Sequence, residues 1–153
     1  MSKDITKNNE LLFDGSLWCN LDVALRSTDH YFRQYIRPAE LTVIEWYILR
    51  SLYEVDGQHA SALARAVGRA ATSFTPNLDK LQAKGYVERQ PDPHDRRAVR
   101  IFLTQKGQAI REEVLQSAVD LDQLMAEMFD AQEFKGFINI LGQLQTLNHS
   151  HDN

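Results

Sequence analysis

The stretch Lys84-Gly85-Tyr86-Val87-Glu88-Arg89-Gln90-Pro91-Asp92-Pro93-His94-Asp95-Arg96-Arg97-Ala98-Val99-Arg100-Ile101-Phe102-Leu103-Thr104 decides the fold. Tyr86-Val87-Glu88-Arg89 and Val99-Arg100-Ile101-Phe102-Leu103 alternate in the manner of strands. Pro91-Asp92-Pro93-His94-Asp95 between them is rich in residues that turn the chain. The two runs therefore read as a β-hairpin with a charged tip. Lys84-Gly85 closes a helix just before it, because glycine accepts the left-handed backbone that a helix end requires. Thr104 follows the second strand and is suited to cap a new helix.

The segments before the hairpin read as four helices. Leu17, Leu21, Ala24, Leu25, Thr28 and Tyr31/Phe32 recur every three or four positions, which predicts a long amphipathic helix ending near Tyr35. Arg37-Pro38 interrupts it. Thr42, with Glu45 three residues later, has the form of a capping box for a second helix carrying Ile44, Tyr47, Ile48 and Leu52. Asp56-Gly57 ends that helix. A short third helix runs from Ala62 to Val67. A fourth has Leu78 and Leu81 as its apolar stripe. Beyond the hairpin, Ile110, Val114, Ala118, Leu121, Met125 and Met128 predict one long helix starting at Thr104. Phe134, Phe137, Ile138, Leu141, Leu144 and Leu147 predict a last one.

The expected fold is mostly α with a small β-hairpin. Three helices followed by a hairpin have the order of a winged helix-turn-helix. Val67, Leu78 and Leu81 supply the small core behind the helix that starts near Ala71. Pro76 is the irregular feature of that helix. Proline is easily accepted only in a first turn. Either the helix begins late, with Thr75 as N-cap, or it is kinked.

Charge supports a local function for this middle region. The whole chain of 153 residues is −4 at neutral pH. Between Gly57 and Glu112, ten Lys/Arg face five acids, a local +5, while residues 1–56 are −3 and 113–153 are −6. A basic middle between acidic ends is the footprint of a surface for a polyanion. The composition, 43% hydrophobic and 25% charged, is that of a globular domain. No apolar run approaches the roughly 18 residues of a membrane span, and the polar start lacks an apolar signal core; a cytoplasmic location is expected, with no membrane partner. The single cysteine, Cys19, leaves no disulfide framework and no cysteine-rich zinc site. No metal, cofactor or enzyme is expected: His30, His59, His94, His149 and His151 have no zinc spacing, and no phosphate loop, HExxH or nucleophile–base pair is present.

The sequence resembles the MarR family of bacterial regulators. The likeness rests on Leu63-Ala64, Leu78-Asp79-Lys80-Leu81, Lys84 through Arg89 and, above all, Asp92 through Gly107, with Asp95-Arg96-Arg97 at the hairpin tip and Leu103-Thr104-Gln105-Lys106-Gly107 after it. The resemblance implies a homodimer of winged helix-turn-helix subunits that represses transcription from a pseudo-palindromic double-stranded operator. Residues 14–36 and 104–148 would be dimerisation helices, 41–103 the DNA-binding region, and 1–12 and 149–153 polar tails. The terminal helices also carry more apolar stripe than one small winged domain can cover.

On this reading Thr72, Ser73, Thr75 and Asn77 reach base edges or phosphates near a helix N-terminus. Arg96 and Arg97 enter a narrow minor groove from the wing, and Asp95, by resemblance, holds a wing arginine in an ion pair. Arg69, Lys80, Arg89 and Arg100 would contact phosphates. Trp18, His30, Tyr31, Trp46, Tyr47 and Arg50 lie on helices that border an effector pocket in the family. Aromatics with an arginine suit a planar anion such as an aromatic carboxylate, and they equally suit an ordinary core and dimer face. Peroxide-sensing relatives carry a reactive cysteine near the position of Cys19, but Val23 and Arg33 stand where its tyrosine partners would be expected. A ligand-relieved repressor, a thiol-based sensor and a ligand-independent DNA-binding protein all remain open at this stage.

Overall fold

The structure, a computed structural model, describes residues 11–36, 40–67 and 71–146, with backbone alone for 71–73. It divides into two compact units, Met1–Leu115 and Gln116–Asn153.

In the first unit a 3-10 turn, Phe13–Gly15, leads into α1, Leu17–Ile36. The Asn20 side chain ties the two together. Its amide donates to the Leu12 carbonyl at 2.6 Å, and its oxygen accepts from the Leu12 N–H at 3.0 Å. Next is α2, Val43–Glu54, opened by the expected capping box: Thr42 Oγ1 accepts from the Glu45 amide, and Glu45 Oε2 accepts from the Thr42 amide. Helix α2 is the hub of the unit and packs against α1, α3 (Ala60–Val67), α4 (Ala71–Ala83) and the sheet. Ile48, Leu49 and Leu52 of α2 are fully buried with Leu63, Leu81 and Ile101. Trp46 joins this core, and its indole N–H donates to the Val114 carbonyl at 3.1 Å.

The sheet has three strands in the order β1-β3-β2, with β1 Gln58–His59, β2 Val87–Pro91 and β3 Val99–Leu103. The hairpin is as expected, with Val87 opposite Leu103 and Pro91 opposite Val99. The sequence reading lacked β1, which pairs Gln58 with Ile101 and His59 with Arg100. Two residues are too short to show alternation. Gly57 turns the chain into β1 at φ +72°, where a Cβ would also collide with the Phe102 ring.

The structure excludes one of the two alternatives for α4 and corrects the helix expected after Thr104. Helix α4 neither starts at Pro76 nor uses Thr75 as its cap. It begins at Ala71 and carries Pro76 as its sixth residue. Proline has no N–H for the Thr72 carbonyl, so one intrahelical bond is lost there. The helix after Thr104 is also not continuous. It comprises α5, Gln105–Ala109, and α6, Arg111–Glu127, separated at Ile110, which has φ −95° and ψ 7°. In the last turn of α5 the Gly107 carbonyl is engaged from outside the helix by the Tyr53 hydroxyl, at 2.8 Å. Burial pushes that hydroxyl's pKa up to about 12, so it stays a donor.

The second unit holds the end of α6 and α7, Ala131–Gln145. Asp130 and Glu133 form a capping box for α7, and Phe129 stacks on Phe137 with ring centroids 5.7 Å apart. No residue of α7 is buried, and Ile138, Ile140 and Leu144 are exposed. No helix among the described residues is long and apolar enough to cross a membrane.

Candidate nucleic-acid interface

Helix α4 is fixed from behind and at its end. Phe74, Leu78 and Leu81 are buried together with Val67, so one face of α4 belongs to the core. At its C-terminus the Tyr86 N–H donates to Leu81 O and the Gly85 N–H to Gln82 O, with Gly85 at φ +78°. This double return is a Schellman motif. Lys84 beside it donates to the Glu40 carbonyl at 2.6 Å and to Glu45 Oε2 at 2.9 Å. The fully buried Glu45 carboxylate is thus neutralised by the helix whose position it helps to set. Thr75, Pro76, Asp79 and Lys80 remain on the exposed face.

Asn77 is not on that face. It is half-buried, and its side-chain oxygen accepts from the Thr42 hydroxyl at 2.8 Å, joining α4 to the start of α2. Of the other residues expected to read DNA from this helix, Arg69 and the side chains of Thr72 and Ser73 lie outside the described residues.

The wing is built by two carboxylates aimed at its own backbone. Asp92 Oδ1 accepts from the His94 N–H at 2.7 Å and the Asp95 N–H at 3.1 Å. Asp95 Oδ1 accepts from the Arg97 N–H at 2.9 Å. With the tip pinned in this way, Arg96 and Arg97 are exposed. Asp95 therefore holds the wing by a backbone bond, and the arginine ion pair expected of it belongs to Asp92, whose Oδ2 lies 2.5 Å from Arg100 Nε and 3.4 Å from His59 Nε2. Arg100 also donates to the Gly57 carbonyl at 3.0 Å. It clamps the hairpin to the start of β1. The two backbone amides, above all that of His94, together with the Arg100 guanidinium, hold the Asp92 carboxyl at about 2, well below the ordinary carboxylate range.

Arg89 is likewise engaged within the unit. Its guanidinium bonds Asp79 at 2.6 Å and Gln82 at 2.5 Å, bracing β2 against α4. Lys80, Arg96 and Arg97 are thus the described cations of the expected set that stand exposed without such a clamp.

The motif after the hairpin has a packing cause. The Thr104 hydroxyl accepts from the Gly107 N–H at 3.0 Å and donates to the Gly85 carbonyl at 2.6 Å. A Cβ on Gly107 would lie 2.1 Å from the Tyr86 carbonyl oxygen, so only glycine lets α5 seat against the chain entering β2.

The six residues expected around an effector do not come together. Trp46 is core, edge-on to Phe32 and Tyr47 with centroids 4.9 and 5.1 Å away. Tyr47 and Tyr31 are exposed, Trp18 is 81% exposed, and Arg50 pairs with Glu54 on its own helix at 2.9 Å. His30 alone of the six lines a cavity of about 1070 Å³, whose wall includes Asp29, Arg33, Thr42 and Asn77. Thr42 and Asp92 carry no local signal as site residues, because Asn77 and His59, their partners, lie far off in the chain.

Helices α2 to α4 followed by the hairpin define a winged helix-turn-helix protein. A sequence model of the MarR family matches residues 39–98. The fold is that of a MarR transcriptional regulator from Methanosarcina mazei Go1, with a TM-score of 0.76 at 24% identity over 86% of this chain and 95% of that one. It is also similar to wild-type apo MarR from E. coli, with a TM-score of 0.69 at 27% identity over 84% of this chain and 95% of that one. A cysteine-to-serine mutant of E. coli MarR complexed with operator DNA matches with a TM-score of 0.76, at 27% identity over 84% of this chain and 92% of that one. Residues 39–98 thus match the MarR family, and the described fold is that of MarR transcriptional regulators.

Proposed function

We propose that this regulator is a homodimeric repressor that reads a pseudo-palindromic operator with the exposed face of α4 and both wings. The observation that carries the reading is the wing tip, where the Asp92 and Asp95 carboxylates bond the loop's own amides and Arg96 and Arg97 are left exposed. An arginine in that setting suits a narrow minor groove, while Thr75 and Lys80 of α4 suit the major groove and its phosphates. The E. coli relative in complex with operator DNA supports this reading.

Dimerisation is proposed from uncovered apolar surface. Leu17, Trp18 and Leu25 of α1 are 60% or more exposed, and α7 buries none of its residues. Surface of this kind on terminal helices is suited to a self-complementary interface. As effector we propose a small aromatic carboxylate in the cavity beside His30 and Arg33, with Arg33 as its anchor and the Asp29 and Glu40 carboxylates on the same wall.

The test is selection of a duplex from a random pool, followed by sedimentation and by titration with a panel of aromatic carboxylates. The reading expects a palindromic sequence with half-sites about 10 bp apart, two subunits per duplex, and release by at least one carboxylate. Selection of no sequence would overturn the operator proposal. Binding by a monomer would overturn the dimer, and indifference to every carboxylate would overturn the effector.

A further inference from the structure

We infer that His94 is a third DNA contact of the wing tip, one that is made only when its imidazole carries a proton. The inference rests on the proposal that the wing meets DNA and adds to it a residue and a chemical condition.

His94 occupies the same pinned loop as the two arginines. Its backbone N–H is fixed by Asp92 at 2.7 Å, while its side chain is exposed. Among the described residues the imidazole has no hydrogen-bond or ion-pair partner, so nothing inside the protein competes for it. The acidic groups around it are two, and both are engaged. Asp92 faces away from solvent toward Arg100 and His59. Asp95 accepts from the Arg97 amide. Arg96 and Arg97 are exposed cations of the same loop.

With Asp92 buried against Arg100 and one exposed acid, Asp95, beside Arg96 and Arg97, the tip presents net positive charge to a polyanion. A neutral imidazole adds little to that field, whereas an imidazolium adds a full charge and a second N–H donor. Phosphate favours the imidazolium, so binding takes up a proton. Affinity gained in this way is greater where the imidazolium is the form present.

The test is fluorescence anisotropy with the duplex the protein selects from a random pool, at constant ionic strength, from pH 8 to pH 5.5. The wild type should tighten by roughly two- to fivefold per wing, the range of one exposed ion pair. Its log–log salt slope should steepen by about 0.9 per wing. His94→Gln should bind as the wild type does at pH 8 and lose both changes. His94→Lys should bind tightly at every pH. A flat wild-type profile, or an unchanged pH response in His94→Gln, overturns the inference and leaves the wing interface standing. Absence of binding at every pH overturns both.

Discussion

Asp92 and Arg100 meet at 2.5 Å where the hairpin tip joins its strands, and the Asp92 side chain is only 3% exposed. This pair decides which arginines face outward. Arg100 is consumed by the clamp, and the amides that share the same carboxylate set the loop carrying Arg96 and Arg97. Asp92→Asn keeps the shape but turns an amide toward Arg100. It should speed hydrogen exchange at the His94 and Asp95 amides and weaken DNA binding several-fold, with the helical core intact. Because the folded pKa is lowered to about 2, the stabilisation is present above the ordinary Asp range. It is lost as pH falls from about 4 toward 2. Acid should therefore loosen the wild-type wing in that window. Equal amide protection in Asp92→Asn and wild type would remove the clamp from the account.

Arg89 separates bracing from binding. Its bonds to Asp79 and Gln82 are on the surface, so Arg89→Ala should cost about 0.5–1 kcal/mol of stability. The DNA salt slope should be unchanged, because no phosphate contact is removed. Chemical denaturation and a salt titration of the same variant check both halves. A slope shallower by about 0.9 per subunit would make Arg89 a phosphate ligand after all.

Gly107→Ala places a methyl group against the Tyr86 backbone carbonyl, which cannot rotate away. The strain should destabilise the protein by about 1–3 kcal/mol, read as a lower thermal midpoint. A wild-type midpoint would show that α5 shifts freely relative to β2.

Asn77 should behave as a positioning residue. Asn77→Ala should lower affinity for all duplexes by a similar factor, because the Thr42 bond orients α4 as a whole. Selection with the variant should return the wild-type consensus. Relaxed preference at one base pair would instead make Asn77 a base reader.

The legible parts of this protein are those governed by short-range chemistry. The turn residues from Pro91 to Asp95, the Thr42–Glu45 capping box and the glycine after Lys84 each act within a few residues, and each is where the sequence places it. The partners of polar side chains are not local. Asn77 and Thr42 are 35 residues apart, and Arg100 reaches Gly57 across 43. Nothing near Arg89 or Arg100 in the chain distinguishes an internal clamp from a free cation. Helix α4 ran past Pro76 because its buried stripe of Phe74, Leu78 and Leu81 outweighs one missing bond, a tertiary effect that propensity does not contain. Trp46 shows the same dependence on a distant partner, since its indole N–H is satisfied by Val114, 68 residues away.

The most direct measurement is the salt dependence of binding to the selected duplex, for the wild type and for the Arg96→Ala/Arg97→Ala double variant. With Lys80, Arg96 and Arg97 from each of two subunits, the wild-type log–log slope should be at least about −5. The double variant should lose about 3 to 4 of that slope and at least about 1–3 kcal/mol of affinity, with an unchanged thermal midpoint. A salt-independent wild type, or a double variant with the wild-type slope and affinity, would contradict an interface built on the wing.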